Sequence, residues 1–128
     1  MTTAGARRGA LLLATGRAAL GVAVLAAPEQ VTARWLGQSN AERPVVIDLA
    51  RSLGARDLAL AVATLQTLDD PVVGPRVQAL CAVVDSVDAL ATLLAREHLP
   101  RKGVIGTIAL AGAGAAAGFY CSHRLAHA

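Results

Sequence analysis

The chain has 128 residues, room for a single domain, and 55% of them are hydrophobic with a mean hydropathy of +0.52, a composition that excludes intrinsic disorder. A net charge of +3 and a pI near 9.5 would invite a nucleic-acid reading, but the basic residues are scattered, with Arg7/Arg8 and Arg101/Lys102 the only adjacent pairs. Trp35, Phe119 and Tyr120 are the only aromatics, so there is no stacking platform for single strands, and nucleic acid is excluded as a partner.

The first apolar segment runs from Gly9 to Ala27 and ends at Pro28. Arg7 and Arg8 ahead of it and Val24-Leu25-Ala26 within it imitate a secretory signal, but Arg17 places a charge in the middle of the apolar run, so we expect a retained first helix. From Pro28 to Arg43 the chain is a connection in which Val31 to Leu36 forms an apolar face carrying Trp35. We expect a short helix lying flat at a membrane interface there, matched by Tyr120 at the end of the last segment. The second segment spans 44–68 and is stopped by Asp69-Asp70-Pro71; the third spans 75–96, before Pro100; the fourth spans 103–120. Pro44 and Pro75 fall where a first turn tolerates proline, and each segment has about the 20 residues needed to cross a bilayer. Period-two alternation is missing, and the run Ala109 to Ala117 disfavours strands.

A water-soluble bundle is the competing class. It requires a wide polar face on every helix, whereas Ala10 to Leu25 offers only Arg17 as a charge and Leu58 to Leu68 only Thr and Gln as polar breaks. The expected fold class is therefore all-α: a four-transmembrane-helix bundle with a short interfacial helix between helices 1 and 2, forming one integral membrane domain over 1–128. Orientation is open. Arg7, Arg8, Arg76 and Arg124 on one side balance Arg34, Arg43, Arg96, Arg101 and Lys102 on the other.

Charges at membrane depth are rare and normally face a partner, so Arg17, Asp48, Arg51, Arg56, Asp57, Asp85 and Asp88 carry most of the information. In the third segment Gln78, Cys81, Asp85, Asp88, Thr92 and Arg96 fall within an arc of about 80° at 100° per residue, a polar stripe expected to point inward. In the second, Asp48, Arg51, Ser52 and Arg56 share an arc of about 140°, and Asp57 looks elsewhere. If the helices alternate in direction, a rise of about 1.5 Å per residue sorts the charges into two layers, Arg17, Arg56, Asp57 and Asp85 in one and Arg51 with Asp88 in the other. Asp48 is left near the opposite interface. Three arginines against four aspartates leave one surplus carboxylate, suited to taking up a proton.

Other motifs are weaker. Cys81 and Cys121 read as buried free thiols, since they form no CxxC pair or metal-spaced cluster. Gly114 and Gly118 form a GxxxG that lets backbones approach, more naturally within the chain than between copies. His123 and His127 lack a third ligand, Ser52 and Ser86 have no His partner nearby in sequence, and no phosphate loop follows a strand; no metal and no cofactor are expected.

The stretch Leu49 to Leu60, with Arg51, Gly54, Arg56 and Asp57, followed by Val84-Asp85-Ser86-Val87-Asp88, resembles the small four-helix integral membrane proteins of actinobacteria, loosely DoxX-like and of unknown function. Those proteins carry an R-x-x-G-x-R-D core followed by a Gly, for which this chain has Ala61. The resemblance covers about residues 45–96 and implies a multi-pass protein of the bacterial cell membrane with the Arg-Asp cluster at its centre; it brings no activity or cofactor. The Ala-rich, nearly lysine-free composition suits a high-GC bacterial source. Functionally, the leading expectation is an accessory or interaction subunit with a charge-paired interior, its partners the lipid bilayer and a membrane protein or second copy. The alternatives are a site for protons, a small solute or a lipophilic ligand such as a quinone, with Arg17, Arg51, Arg56, Asp57, Asp85 and Asp88 as candidate residues, or an intramembrane enzyme using Asp85 and Asp88. The enzyme is the least supported, for want of a nucleophile or metal site. A cavity reaching Asp85 would favour the alternatives; a dry, fully paired interior would favour the subunit.

Overall fold

The computed structural model describes residues 3–127, and every regular element among them is helical. In chain order these are α1 (Thr3–Ala26), α2 (Pro28–Leu36), α3 (Gln38–Ala41), α4 (Pro44–Thr67), α5 (Val73–Leu94) and α6 (Arg101–Ala126), with a 3-10 turn at Arg96–His98. Prolines set the starts: Pro28 and Pro44 stand in the first turns of α2 and α4, and Pro100 directly precedes α6. Gly37, at φ +86°, makes the break between α2 and α3 in a conformation that disfavours any other residue.

The long helices differ from the expected segments mainly at their ends. Helix α1 begins at Thr3 rather than Gly9, and α6 continues to Ala126 rather than Tyr120, because nothing in those flanks breaks a helix. Helix α5 ends at Leu94, so Arg96 leaves the stripe and is exposed in the following turn. Three helices, over Ala4–Ala26, Val73–Leu94 and Arg101–Ala126, are long and apolar enough to cross a membrane. The expectation of four such spans is corrected at α4, which has the length, 24 residues, but carries Asp48, Arg51, Arg56 and Asp57 too close together to qualify by composition.

Packing runs from α4 to α1, from α1 to α6, from α6 to α5 and back from α5 to α4, with α2 lying across the ends of α1, α4 and α6. The two most extensive pairings, α1 with α4 and α5 with α6, are built on small residues. At the first, Gly21 and Gly54 put backbone on backbone: a Cβ at Gly21 would lie 2.7 Å from the Gly54 carbonyl oxygen, and one at Gly54 would lie 2.9 Å from that of Gly21. At the second, a Cβ on Gly118 would lie 2.9 Å from Ala82 Cβ, and the Ser122 hydroxyl donates to the Pro75 carbonyl at 2.7 Å. The GxxxG of α6 thus packs within the chain.

Burial is inverted relative to a water-soluble protein. The interior consists of small side chains such as Ala6, Ala10, Ala14, Ala50, Ala61 and Ala82, together with Thr32, Thr64, Gln78 and Thr92. Large apolar side chains stand outside, among them Leu12 and Leu94 at 73% exposure, Leu110 at 66% and Leu49 at 61%. Burying such side chains is the main source of stability in water, so an exterior of this kind needs an apolar surrounding.

The loop between α4 and α5 is pinned by two acids. Asp69 accepts from Arg7 Nε at 2.8 Å and Nη2 at 3.1 Å, and Asp70 Oδ1 accepts the backbone N–H groups of Val72 and Val73, both at 2.8 Å. The Arg7 guanidinium holds the Asp69 carboxyl below the usual carboxylate range, and the Val73 and Val72 amides do the same for Asp70. A depressed carboxyl stabilises the fold above its unfolded value of about 3.9 and ceases to do so as the pH falls through the lower folded value. The melting temperature of an Asp69→Asn, Asp70→Asn variant is therefore expected to lie slightly below that of the parent at neutral pH and to converge with it in strong acid. A gap that persists in acid would mean that the charges are not responsible. The effect is small because both carboxylates are exposed.

Candidate functional site

Residues from three helices meet at mid-length in an alternating chain of charge: Asp85, Arg17, Asp57, Arg56, Asp88. Arg17 of α1 donates from Nη1 to Asp57 Oδ1 at 3.1 Å and from Nη2 to Asp85 Oδ1 at 2.6 Å, tying α4 to α5. Arg56 donates from Nη2 to the same Asp57 oxygen at 3.1 Å and grips Asp88 with Nη1 and Nη2, at 3.1 and 2.7 Å. Local sequence explains the arrangement. Arg56 and Asp57 are neighbours about 100° apart on α4, so one reaches α5 while the other faces α1; Asp85 and Asp88, three apart on α5, sit one above the other.

The polar stripe of α5 points inward as expected from Gln78 through Thr92. Gln78, Cys81 and Thr92 are buried, and Asp85 and Asp88 are half-buried within the network. Cys81 Sγ lies 3.6 Å from Thr64 Oγ1 of α4, and both cysteines are free and buried. Arg17, Arg56, Asp57, Asp85 and Asp88 are brought together. Arg51 is not: it is exposed and takes part in none of the ion pairs among the described residues, and Asp88 pairs with Arg56 instead. The expected second layer of Arg51 with Asp88 is thus corrected. Depth counted along helix axes ignores the length of an arginine, whose side chain carries its charge about one helical turn away from its own Cα. Asp48 is exposed as well.

Two guanidiniums serve three carboxylates, so the network keeps one surplus negative charge. Asp57 Oδ2 and Asp85 Oδ2 accept no hydrogen bond among the described residues, while Arg56 Nε is buried without an acceptor. Gly114 of α6 makes room for Asp85, since a Cβ there would lie 2.8 Å from Asp85 Oδ2. Among the described residues no three His, Cys, Asp or Glu side chains are grouped to hold a metal ion.

These charges line one wall of a cavity of about 410 Å³ whose other walls are mostly apolar, including Leu13, Val24, Val31, Trp35, Leu53 and Ala111. Its exposed lining residues, Leu12, Gly16 and Leu20 of α1 and Leu110 of α6, belong to just two helices, so its exposed rim lies on α1 and α6. A volume in this range accommodates part of a drug-sized molecule, and an apolar enclosure with a few polar groups is the usual form of a small-ligand site. Sequence reasoning missed Trp35 as a lining residue with a buried, unpartnered Nε1, the notch at Gly114 and the open rim at Gly16. A glycine in an apolar helix is the sole signal for the last two, and it does not say which neighbour the gap faces. No protein-family profile, curated protein or solved structure matches the chain.

Proposed function

We propose that this is a small multi-pass membrane protein that admits a lipophilic molecule with a hydrogen-bonding head through the gap between α1 and α6 and holds that head at the Arg17, Arg56, Asp57, Asp85, Asp88 network. The cavity joining an apolar wall, with its exposed rim on α1 and α6, to a charge chain with a surplus carboxylate carries this reading. Large apolar side chains on the outside match acyl chains, and Arg56 and Asp57, the central charges of α4, are paired with Asp88 and Arg17 beside the three apolar helices. Arg51 lies about two turns from the start of α4, where its length lets it snorkel to the interface. The surplus negative charge can be neutralised by a proton or an ammonium, or can accept a hydrogen bond from the hydroxyl of a quinol-like head. An accessory-subunit role draws less support, because a purely structural charge cluster has no need of an open cavity. The motif spanning Arg51 to Asp57, with Asp85 and Asp88, is the basis for grouping the chain with the DoxX-like membrane proteins of bacteria.

Gly16→Trp tests the proposal. Gly16 is exposed at the rim and a Cβ there meets nothing within 4 Å, so a large side chain can be introduced at that point of the cavity. The parent protein, extracted from membranes in mild detergent, is expected to carry a small non-protein adduct in native mass spectrometry. Gly16→Trp is expected to keep its helical circular dichroism and melting temperature and to lose the adduct. An adduct retained by the variant, or a parent found in the supernatant after ultracentrifugation without detergent, would refute it.

A further inference from the structure

Beside the main cavity, at the end covered by α2, lies a second recess of about 260 Å³. Arg34 and Trp35 of α2 and Lys102, Gly103 and Thr107 of α6 form its walls, and no acidic residue lines it. Arg34 and Lys102 are exposed, and neither takes part in an ion pair among the described residues. Trp35 Nε1 is a buried donor without an acceptor. The two elements are pressed together at Gly103, where a Cβ would run into the Trp35 carbonyl oxygen, so the backbones that carry the two cations are held in contact. Val31, Trp35 and Thr107 line both this recess and the large cavity, so the basic recess and the apolar gap adjoin across these three residues.

We propose that the recess binds the phosphate of an anionic phospholipid, with an acyl chain running past Val31 and Thr107 along the gap between α1 and α6. An arginine fork and a lysine point charge are the usual partners of a phosphate, and basic residues at a membrane surface attract anionic headgroups. The adjoining apolar gap distinguishes a lipid from free phosphate, which would have no use for it. This site rests on the membrane reading above but not on the buried charge network.

Trp35 is the only tryptophan, so its fluorescence reports on the recess and on the cavity wall it shares. The full chain is reconstituted in phosphatidylcholine vesicles containing a minor fraction of phosphatidylglycerol, with brominated acyl chains placed on one lipid or the other, because bromine quenches an indole it touches. Brominated phosphatidylglycerol is expected to quench Trp35 out of proportion to its mole fraction. Arg34→Gln with Lys102→Gln is expected to reduce this to simple proportion with unchanged circular dichroism, and Lys102→Glu alone, at an exposed position, provides a second variant should the double one fold poorly. Millimolar inorganic phosphate is expected to leave the preference intact. Equal quenching per mole by the two lipids, or a preference that survives in the variants, would overturn the site. A preference erased by inorganic phosphate would replace the lipid with a free anion. Quenching by neither lipid would overturn the site as well, whereas a chain recovered free of the vesicles after flotation would refute the membrane reading itself.

Discussion

Arg17→Met is expected to destabilise the protein by about 3 to 5 kcal/mol, the usual consequence of removing one partner of a buried charge pair. The Arg17 side chain is 11% exposed, and its partners Asp57 and Asp85 are 12% and 16% exposed. Without Arg17, the single guanidinium of Arg56 serves Asp57 and Asp88, and Asp85 is left with no partner. Arg17→Met combined with Asp85→Leu returns the network to one surplus charge and is expected to regain most of the loss, since an apolar pair of similar volume often replaces a buried ion pair at little cost. Arg56→Met is expected to do less harm, because the carboxylate it leaves unpaired, Asp88, is 31% exposed against 16% for Asp85. Arg51→Met is expected to stay within about 0.5 kcal/mol of the parent. Thermal melts in detergent distinguish these cases. A double variant no more stable than Arg17→Met, or an Arg51→Met as damaging as Arg17→Met, would show that the charges are paired differently.

Gly54→Val is expected to be comparably damaging for a different reason. Its Cβ would lie 2.9 Å from the Gly21 carbonyl oxygen and 3.2 Å from Val24 Cβ, and the obstacle on the α1 side includes main chain, which cannot rotate away. Relief requires α1 and α4 to separate, and overpacking of this kind costs about 1 to 3 kcal/mol, occasionally more. The damage extends to the site, because Arg17 lies one turn from Gly21 and Asp57 lies three residues from Gly54, so separation at the crossing draws the Arg17–Asp57 pair apart. Gly16→Ala and Gly112→Ala provide the contrast. A Cβ at either position meets nothing within 4 Å, and replacing an unconstrained helical glycine is expected to stabilise by about 0.5 to 1 kcal/mol. A melting temperature for Gly54→Val equal to that of the parent would mean that the two helices do not cross so closely.

The helices were legible because prolines and the Asp69-Asp70-Pro71 turn punctuate long apolar runs, and the inward stripe of α5 because spacing on a helix fixes angle. The network was legible in membership, through Arg17, Arg56, Asp57, Asp85 and Asp88, but not in pairing. Asp88 turned to Arg56 rather than Arg51 because a flexible side chain of several ångströms decides which charges touch, and periodicity contains no such length. Nor does it contain the order of helices around the molecule, which depends on the Gly21–Gly54 contact. The cavity was invisible for a related reason: it exists where Gly16 and Gly114 leave space beside Leu12, Leu20 and Leu110, and absence of a side chain signifies a cavity only once its neighbours are known.

The most direct test of the ligand-binding proposal is an experimental density map of the protein in a lipid nanodisc. Elongated non-protein density is expected between α1 and α6, entering beside Gly16 and ending within hydrogen-bonding distance of Asp57 Oδ2 or Asp85 Oδ2. A gap closed by protein side chains, with both oxygens hydrogen-bonded to the chain itself, would contradict ligand binding and return the charge network to a purely structural role.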